Sequence, residues 1–141
     1  METMNTKTIT VEALINAPVE KVWEYWTEPK HITQWCQASD DWHAPYADND
    51  VTVGGQFKTT MAAKDGSFSF DFGGEYTNIE KYKTIEYVMS DGRRAKIVFN
   101  NDGGQTKVVE TFDPENTNPI EMQQAGWQAI LDNFKKYTEA V

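Results

Sequence analysis

A chain of 141 residues with a formal net charge of −9 is long enough for one domain, and too acidic for a nucleic-acid or anionic-membrane surface, both of which need basic patches. Apolar residues make up only 39% of the chain, but 13% of it is aromatic, so large rings can fill a core that the apolar count alone would leave thin. No run approaches a membrane span, residues 1–7 have no apolar signal core, and the single cysteine, Cys36, rules out an internal disulfide; these features predict a cytoplasmic protein without membrane insertion.

Residues 8–15 set Ile9, Val11, Ala13 and Ile15 against Thr8, Thr10, Glu12 and Leu14, the alternation of a half-buried strand. Pro18 suits the first turn of a helix, where its missing N–H is no loss. Val19, Val22, Trp23 and Trp26 then recur at helical spacing as one apolar stripe. Pro29 starts a second short helix that ends near Trp35 or Cys36. Residues 40–50 are polar, acidic and interrupted by Pro45, and read as a loop. Strands follow at 51–53, 56–62, 67–79, 84–89, 93–100 and 105–112. Asp65-Gly66, Asp91-Gly92 and Asn101-Asp102-Gly103-Gly104 divide them with turns of positive φ. Gly54-Gly55 and Gly73-Gly74 allow a strongly curved sheet to bend.

Asn118 as a cap, Pro119 in the first turn and Glu121 three residues after the cap open the last helix. Ile120, Trp127, Ile130, Leu131, Phe134, Tyr137 and Val141 share a face roughly 30 Å long. A face of that length must lie across the sheet. Trp127 is expected to be buried there, and Gly126, which costs about 1 kcal/mol of helix propensity relative to alanine, to mark a close approach by another element. With no repeat and no linker, the reading is a single domain over 8–139 with an N-terminal tail at 1–7.

Ile15-Asn16-Ala17-Pro18, Val22-Trp23, Trp35, Val53-Gly54-Gly55-Gln56-Phe57, Gly74-Glu75-Tyr76, Thr106-Lys107-Val108 and Gly126-Trp127 together resemble, in order and spacing, the domain named for the activator of heat-shock-protein-90 ATPase. That domain belongs to the START-like superfamily of birch-pollen-allergen-like proteins and polyketide cyclases. The resemblance implies an α+β helix-grip fold, in which a curved antiparallel sheet wraps around a long C-terminal helix beside two short N-terminal helices. It also implies a cavity between sheet and helix. The sequence departs from the family pattern at Cys36, where a second aromatic often follows the tryptophan.

Alternation puts Phe57, Thr59 and Met61 on one strand face, and Phe68, Phe70, Phe72 and Tyr76 on another, opposite Trp127, Ile130, Leu131 and Phe134. The expected ligand-binding set is Trp35, Phe57, Phe70, Tyr76, Tyr87, Glu110, Trp127 and Leu131. Its partner would be a small hydrophobic or aromatic molecule, with a chaperone as the alternative. Glu110 admits two orientations. It is interior if Val108 and Phe112 face the core and solvated if Val109 and Thr111 do, and a one-residue shift in register decides between them. An interior Glu110 would have a raised pKa unless Lys96 or Arg94 offset the desolvation. Paired with Tyr76 or Tyr87, it would be the only acid–base candidate for a cyclase- or hydrolase-type activity. No catalytic residue is assigned, because Cys36 and Ser69 lie in no nucleophile motif. No cofactor or metal is expected either, since His31, Cys36 and His43 match no zinc spacing and the acidic runs lack a calcium-loop pattern.

Overall fold

A computed structural model describes residues 8–37 and 39–140. The tail at 1–7 and Val141 lie outside the described residues. The elements in chain order are β1 (Ile9–Ile15), α1 (Val19–Thr27), α2 (Pro29–Trp35), β2 (Trp42–Asn49), β3 (Gln56–Ala63), β4 (Ser69–Glu80), β5 (Thr84–Met89), β6 (Arg94–Asp102), β7 (Gln105–Phe112) and α3 (Ile120–Ala140). The strands form one antiparallel sheet in the order β1-β7-β6-β5-β4-β3-β2. The arrangement is the expected α+β one, a curved half-barrel with a long C-terminal helix and two short N-terminal helices, and is helix-grip-like.

The curvature has local causes. β4 is the longest strand and carries a register shift between Tyr76 and Asn78. At Gly74 a Cβ would sit 2.3 Å from the Val88 carbonyl oxygen, so only glycine lets β5 come this close to β4 there. The turns at Gly66 and Gly92 have φ of 80° and 94°, as the Asp-Gly pairs imply.

The strand expected at 51–53 is instead a turn, and the segment read as a loop at 40–50 is β2. Its polar residues and Pro45 argued against a central strand. β2 is an edge strand, however, where proline and exposed polar side chains are tolerated. The ladder to β3 shifts register between His43 and Tyr46, which brackets Pro45. Only Ala44 on this strand is fully buried.

The three prolines expected in first turns, Pro18, Pro29 and Pro119, sit at helix starts. Pro29 is the first residue of α2, while Pro18 and Pro119 each precede their helix and accept its first hydrogen bonds, from Val22 N–H at 3.1 Å and from Met122 and Gln123 N–H at 3.1 Å. The cap of α3 therefore falls at Pro119 rather than Asn118. Asn118 is held by Glu115, whose Oε1 accepts from its backbone N–H at 2.6 Å and from its Nδ2 at 2.9 Å.

α3 packs on β1 and the two short helices. Leu131, Phe134 and Thr138 are fully buried on that face. Phe134 meets Trp26 and Trp35 edge-on, with ring centroids 4.9 Å away in both cases. Trp35 is fixed by donating from Nε1 to the Tyr25 carbonyl at 2.9 Å. Ile120, expected on the apolar face, is exposed at the helix start. The helix also runs beside the free edge of β1. Gln124 Nε2, Gln128 Nε2 and Lys135 Nζ donate to the carbonyls of Thr10, Glu12 and Leu14 at 3.2, 3.1 and 2.8 Å. Every second carbonyl of the strand faces that way, and a helix repeating every three to four residues supplies a donor for each.

Candidate ligand cavity

Because α3 is seated on β1 and the short helices, it stands off the middle of the sheet and leaves a cavity of about 480 Å³. That volume is in the range that holds small organic ligands. The walls come from α2 (Ile32, Trp35), β3 (Phe57, Thr59, Met61), β4 (Phe70, Phe72, Tyr76), β5 (Ile85, Tyr87), β7 (Glu110) and α3 (Gly126, Trp127, Ile130). Rings dominate, and they brace one another. Phe57 meets Tyr87 edge-on at 4.7 Å, and Trp127 stacks on Phe112 at 3.7 Å and touches Phe72 edge-on at 6.0 Å. Trp127 is thus only half-buried, with rings on one side and the cavity on the other.

Seven of the eight residues expected at a ligand site line this cavity: Trp35, Phe57, Phe70, Tyr76, Tyr87, Glu110 and Trp127. Leu131 does not. It is fully buried in the core, because the α3 residues that reach the cavity, Gly126, Trp127 and Ile130, lie on the flank of the helix next to the core stripe. Phe70 is 44% exposed and forms part of the rim, near Trp42 at 6.0 Å. Phe68, on the same alternation, is exposed altogether. Gly126 does not mark a close approach, since a Cβ there would meet nothing within 4 Å. It faces the cavity and leaves that space open.

Arg93, Asn49 and Gln123 also line the cavity and were not anticipated. On the helical wall Gly126, out of place in a helix interior, is a further signal beside Trp127 and Ile130. Asn49 is set by long-range partners. Its Nδ2 donates to the Thr27 carbonyl at 2.7 Å, which leaves Oδ1 to accept from the Tyr76 hydroxyl. Gln123 ties down the segment before α3, accepting from Glu115 N–H at 2.8 Å and donating to the Asn118 carbonyl at 2.7 Å.

Glu110 faces inward. Val108 and Phe112, two residues to either side, are core residues, and Glu110 is only 6% exposed, between Val11 and Ile97 of the neighbouring strands. Among the described residues, no side chain forms an ion pair or hydrogen bond with it. Lys96 and Arg94 do not offset its burial. Both are exposed, and Arg94 lies 3.8 Å from Asp113 instead. Burial alone pushes the Glu110 carboxyl up to about 8 from its ordinary 4.5. Burial and then the nearby Glu110 raise the Cys36 thiol to about 12, and the same two causes, burial first, raise the Tyr87 hydroxyl. No described protein group satisfies Glu110 or the Tyr87 hydroxyl, and both lie on the cavity wall. Among the described residues no group of three His, Cys, Asp or Glu side chains is placed to hold a metal ion, and no helix is long and apolar enough to cross a membrane.

The profile of the family described as "Activator of Hsp90 ATPase homolog 1-like protein" matches residues 16–139. A solution NMR structure of an AHSA1-like protein from Aeromonas hydrophila is 47% identical, covers 95% of this chain and 93% of its own, and superimposes with a TM-score of 0.89. A solution structure of a Cytophaga hutchinsonii protein is 59% identical over 94% of this chain and 92% of its own, with a TM-score of 0.82. At 20% identity, a crystal structure from Chromobacterium violaceum covers 94% of this chain and 98% of its own with a TM-score of 0.84, which shows a shared fold. No curated protein matches the chain.

Proposed function

The chain belongs to the family of Activator of Hsp90 ATPase homolog 1-like proteins, with a START-like domain, and from that premise we propose that it binds a small hydrophobic or aromatic molecule in the cavity between sheet and C-terminal helix. The observation that carries this reading is the cavity of about 480 Å³, walled by braced aromatic rings with Glu110 as an unpaired polar group on its wall. Rigid rings supply apolar contact at little entropic cost, and a few polar groups fix orientation, the usual composition of a small-molecule site. Gly126 supports the reading. A larger residue would strengthen the helix but fill the space, and the chain keeps the weaker helix former.

Native mass spectrometry of the purified protein tests this. A mass excess of a few hundred daltons, lost on denaturation and absent from Gly126→Trp, is the expected result. A bare mass, together with no response of the cavity tryptophans to a panel of small aromatic compounds, would overturn it.

A chaperone-associated role is the second reading, and the exposed aromatic patch of Phe68, Phe70 and the neighbouring Trp42 favours it. Titration against an Hsp90 chaperone, with Phe68→Ser as the control, decides it. Absence of binding removes this reading and leaves the cavity reading in place.

A further inference from the structure

This inference rests on reading the cavity as a ligand site and concerns what that ligand carries. We infer that the cavity takes a hydrophobic organic cation, an amine whose ammonium group is seated against Glu110 within the surrounding rings.

Three observations lead there. First, Glu110 is more than nine-tenths buried and has no hydrogen-bond or ion-pair partner among the described residues, so the fold desolvates a carboxyl without supplying a counter-ion. A buried carboxyl of this kind is costly unless something pairs with it, and a bound ammonium is the complementary group. Second, the wall around it is aromatic. Trp35, Phe57, Tyr76, Tyr87 and Trp127 share the cavity, and the negative faces of such rings attract a cation that has left water. Third, the charges on the wall favour a cation. Asp48, Glu110 and Glu115 line the cavity against one basic residue, Arg93. Arg93 is already engaged, with Nε 2.7 Å from Asp91 Oδ2 and Nη1 donating to the Asp113 carbonyl at 3.5 Å. An anionic ligand would meet three carboxyl groups and one guanidinium already paired with Asp91. A neutral ligand would use the Tyr87 hydroxyl and leave Glu110 with no task that glutamine could not perform.

The inference predicts a proton linkage. The ionisable groups sharing the cavity with Glu110 are Cys36 at the end of α2, Asp48 on β2, Tyr76 on β4, Tyr87 on β5, Arg93 in the β5–β6 turn and Glu115 before α3. Burial keeps the thiol and both hydroxyls neutral well above pH 8, which leaves Glu110 as the group that titrates near neutrality. An ammonium arriving at a protonated Glu110 displaces its proton. Affinity for the amine therefore rises about tenfold per pH unit below the Glu110 pKa and levels off above it, until the amine itself deprotonates near pH ~10.

The test compares three probes of matched shape: 4-phenylbutylamine, 4-phenylbutan-1-ol and 4-phenylbutyrate. Each is titrated calorimetrically into the full chain at pH 6, 7 and 8, in two buffers of different ionisation enthalpy. The expected result has three parts: the amine binds tightest at pH 8, its binding at pH 7 releases close to one proton, and Glu110→Gln weakens the amine about ten- to a hundredfold, a much larger loss than the alcohol suffers. The proton release is read on the unaltered protein, so it stands even if the variant folds poorly. Equal affinities for amine and alcohol, or amine binding without proton release, would overturn the cation inference while sparing the cavity as a ligand site. Failure of all three probes to bind would overturn both.

Discussion

Glu110 links the fold to pH. Its carboxyl keeps its proton up to about pH 8 in the fold but ionises around its ordinary 4.5 in the unfolded chain, so the folded state binds more protons between those values. Unfolding free energy therefore falls as pH rises through that window. The contribution is complete below 4.5, is lost progressively up to about 8, and changes no further beyond. Glu110→Gln cannot ionise, so the variant should match the parent at pH 5 and exceed it at pH 8.5 by a few kcal/mol, on the order of 4. Urea unfolding at the two pH values checks this, and identical pH slopes for parent and variant would refute it. Thr138 makes the opposite point about buried polarity. It is fully buried, and among the described residues its hydroxyl has no hydrogen-bond partner. Thr138→Val keeps the shape and removes the unsatisfied oxygen, and should raise stability by about 1 kcal/mol in a thermal melt.

At the scale of elements, α3 combines a strong core stripe with one weak residue. A Cβ at Gly126 meets nothing within 4 Å, so Gly126→Ala should gain the full helix-propensity difference of about 1 kcal/mol. Circular dichroism melts would show this as a higher midpoint, and a fall would mean that the space beside the glycine is not open. Six of the seven strands and all three helices were legible because hydrophobic period, turn glycines and helix-start prolines agree there. β2 was not legible. Its Trp-His-Ala-Pro-Tyr-Ala-Asp-Asn run buries little, so it lacks the alternation by which a strand is recognised. Pairing with the following strand β3, rather than any burial pattern of its own, makes it a strand. The cavity wall was only partly legible for a related reason. Alternation shows which way Phe57 and Tyr76 point, but it leaves Glu110 two orientations, and the register with β1 and β6 decides between them. Nor does alternation show which flank of α3 faces the sheet, and that leaves Leu131 in the core while Gly126, Trp127 and Ile130 reach the cavity.

For the whole molecule, the cavity exists because α3 is fastened along one side, and the fastening has an effect beyond shape. A sheet grows by recruiting another chain wherever backbone donors and acceptors lie open along a straight border. On β1 the outward carbonyls of Thr10, Glu12 and Leu14 are already taken by Gln124, Gln128 and Lys135. On β2, Pro45 lacks an N–H and the strand is irregular around it. Neither border gives a second copy a seam to template on. Gln124→Ala combined with Gln128→Ala would reopen two of those carbonyls, and should shorten the lag of thioflavin-T-positive fibril formation in agitated, concentrated solution while leaving the folded spectrum intact. An unchanged lag would mean that the border is guarded by something other than these side chains. A helix that holds open a cavity on one flank thus shields the chain from its own copies on the other.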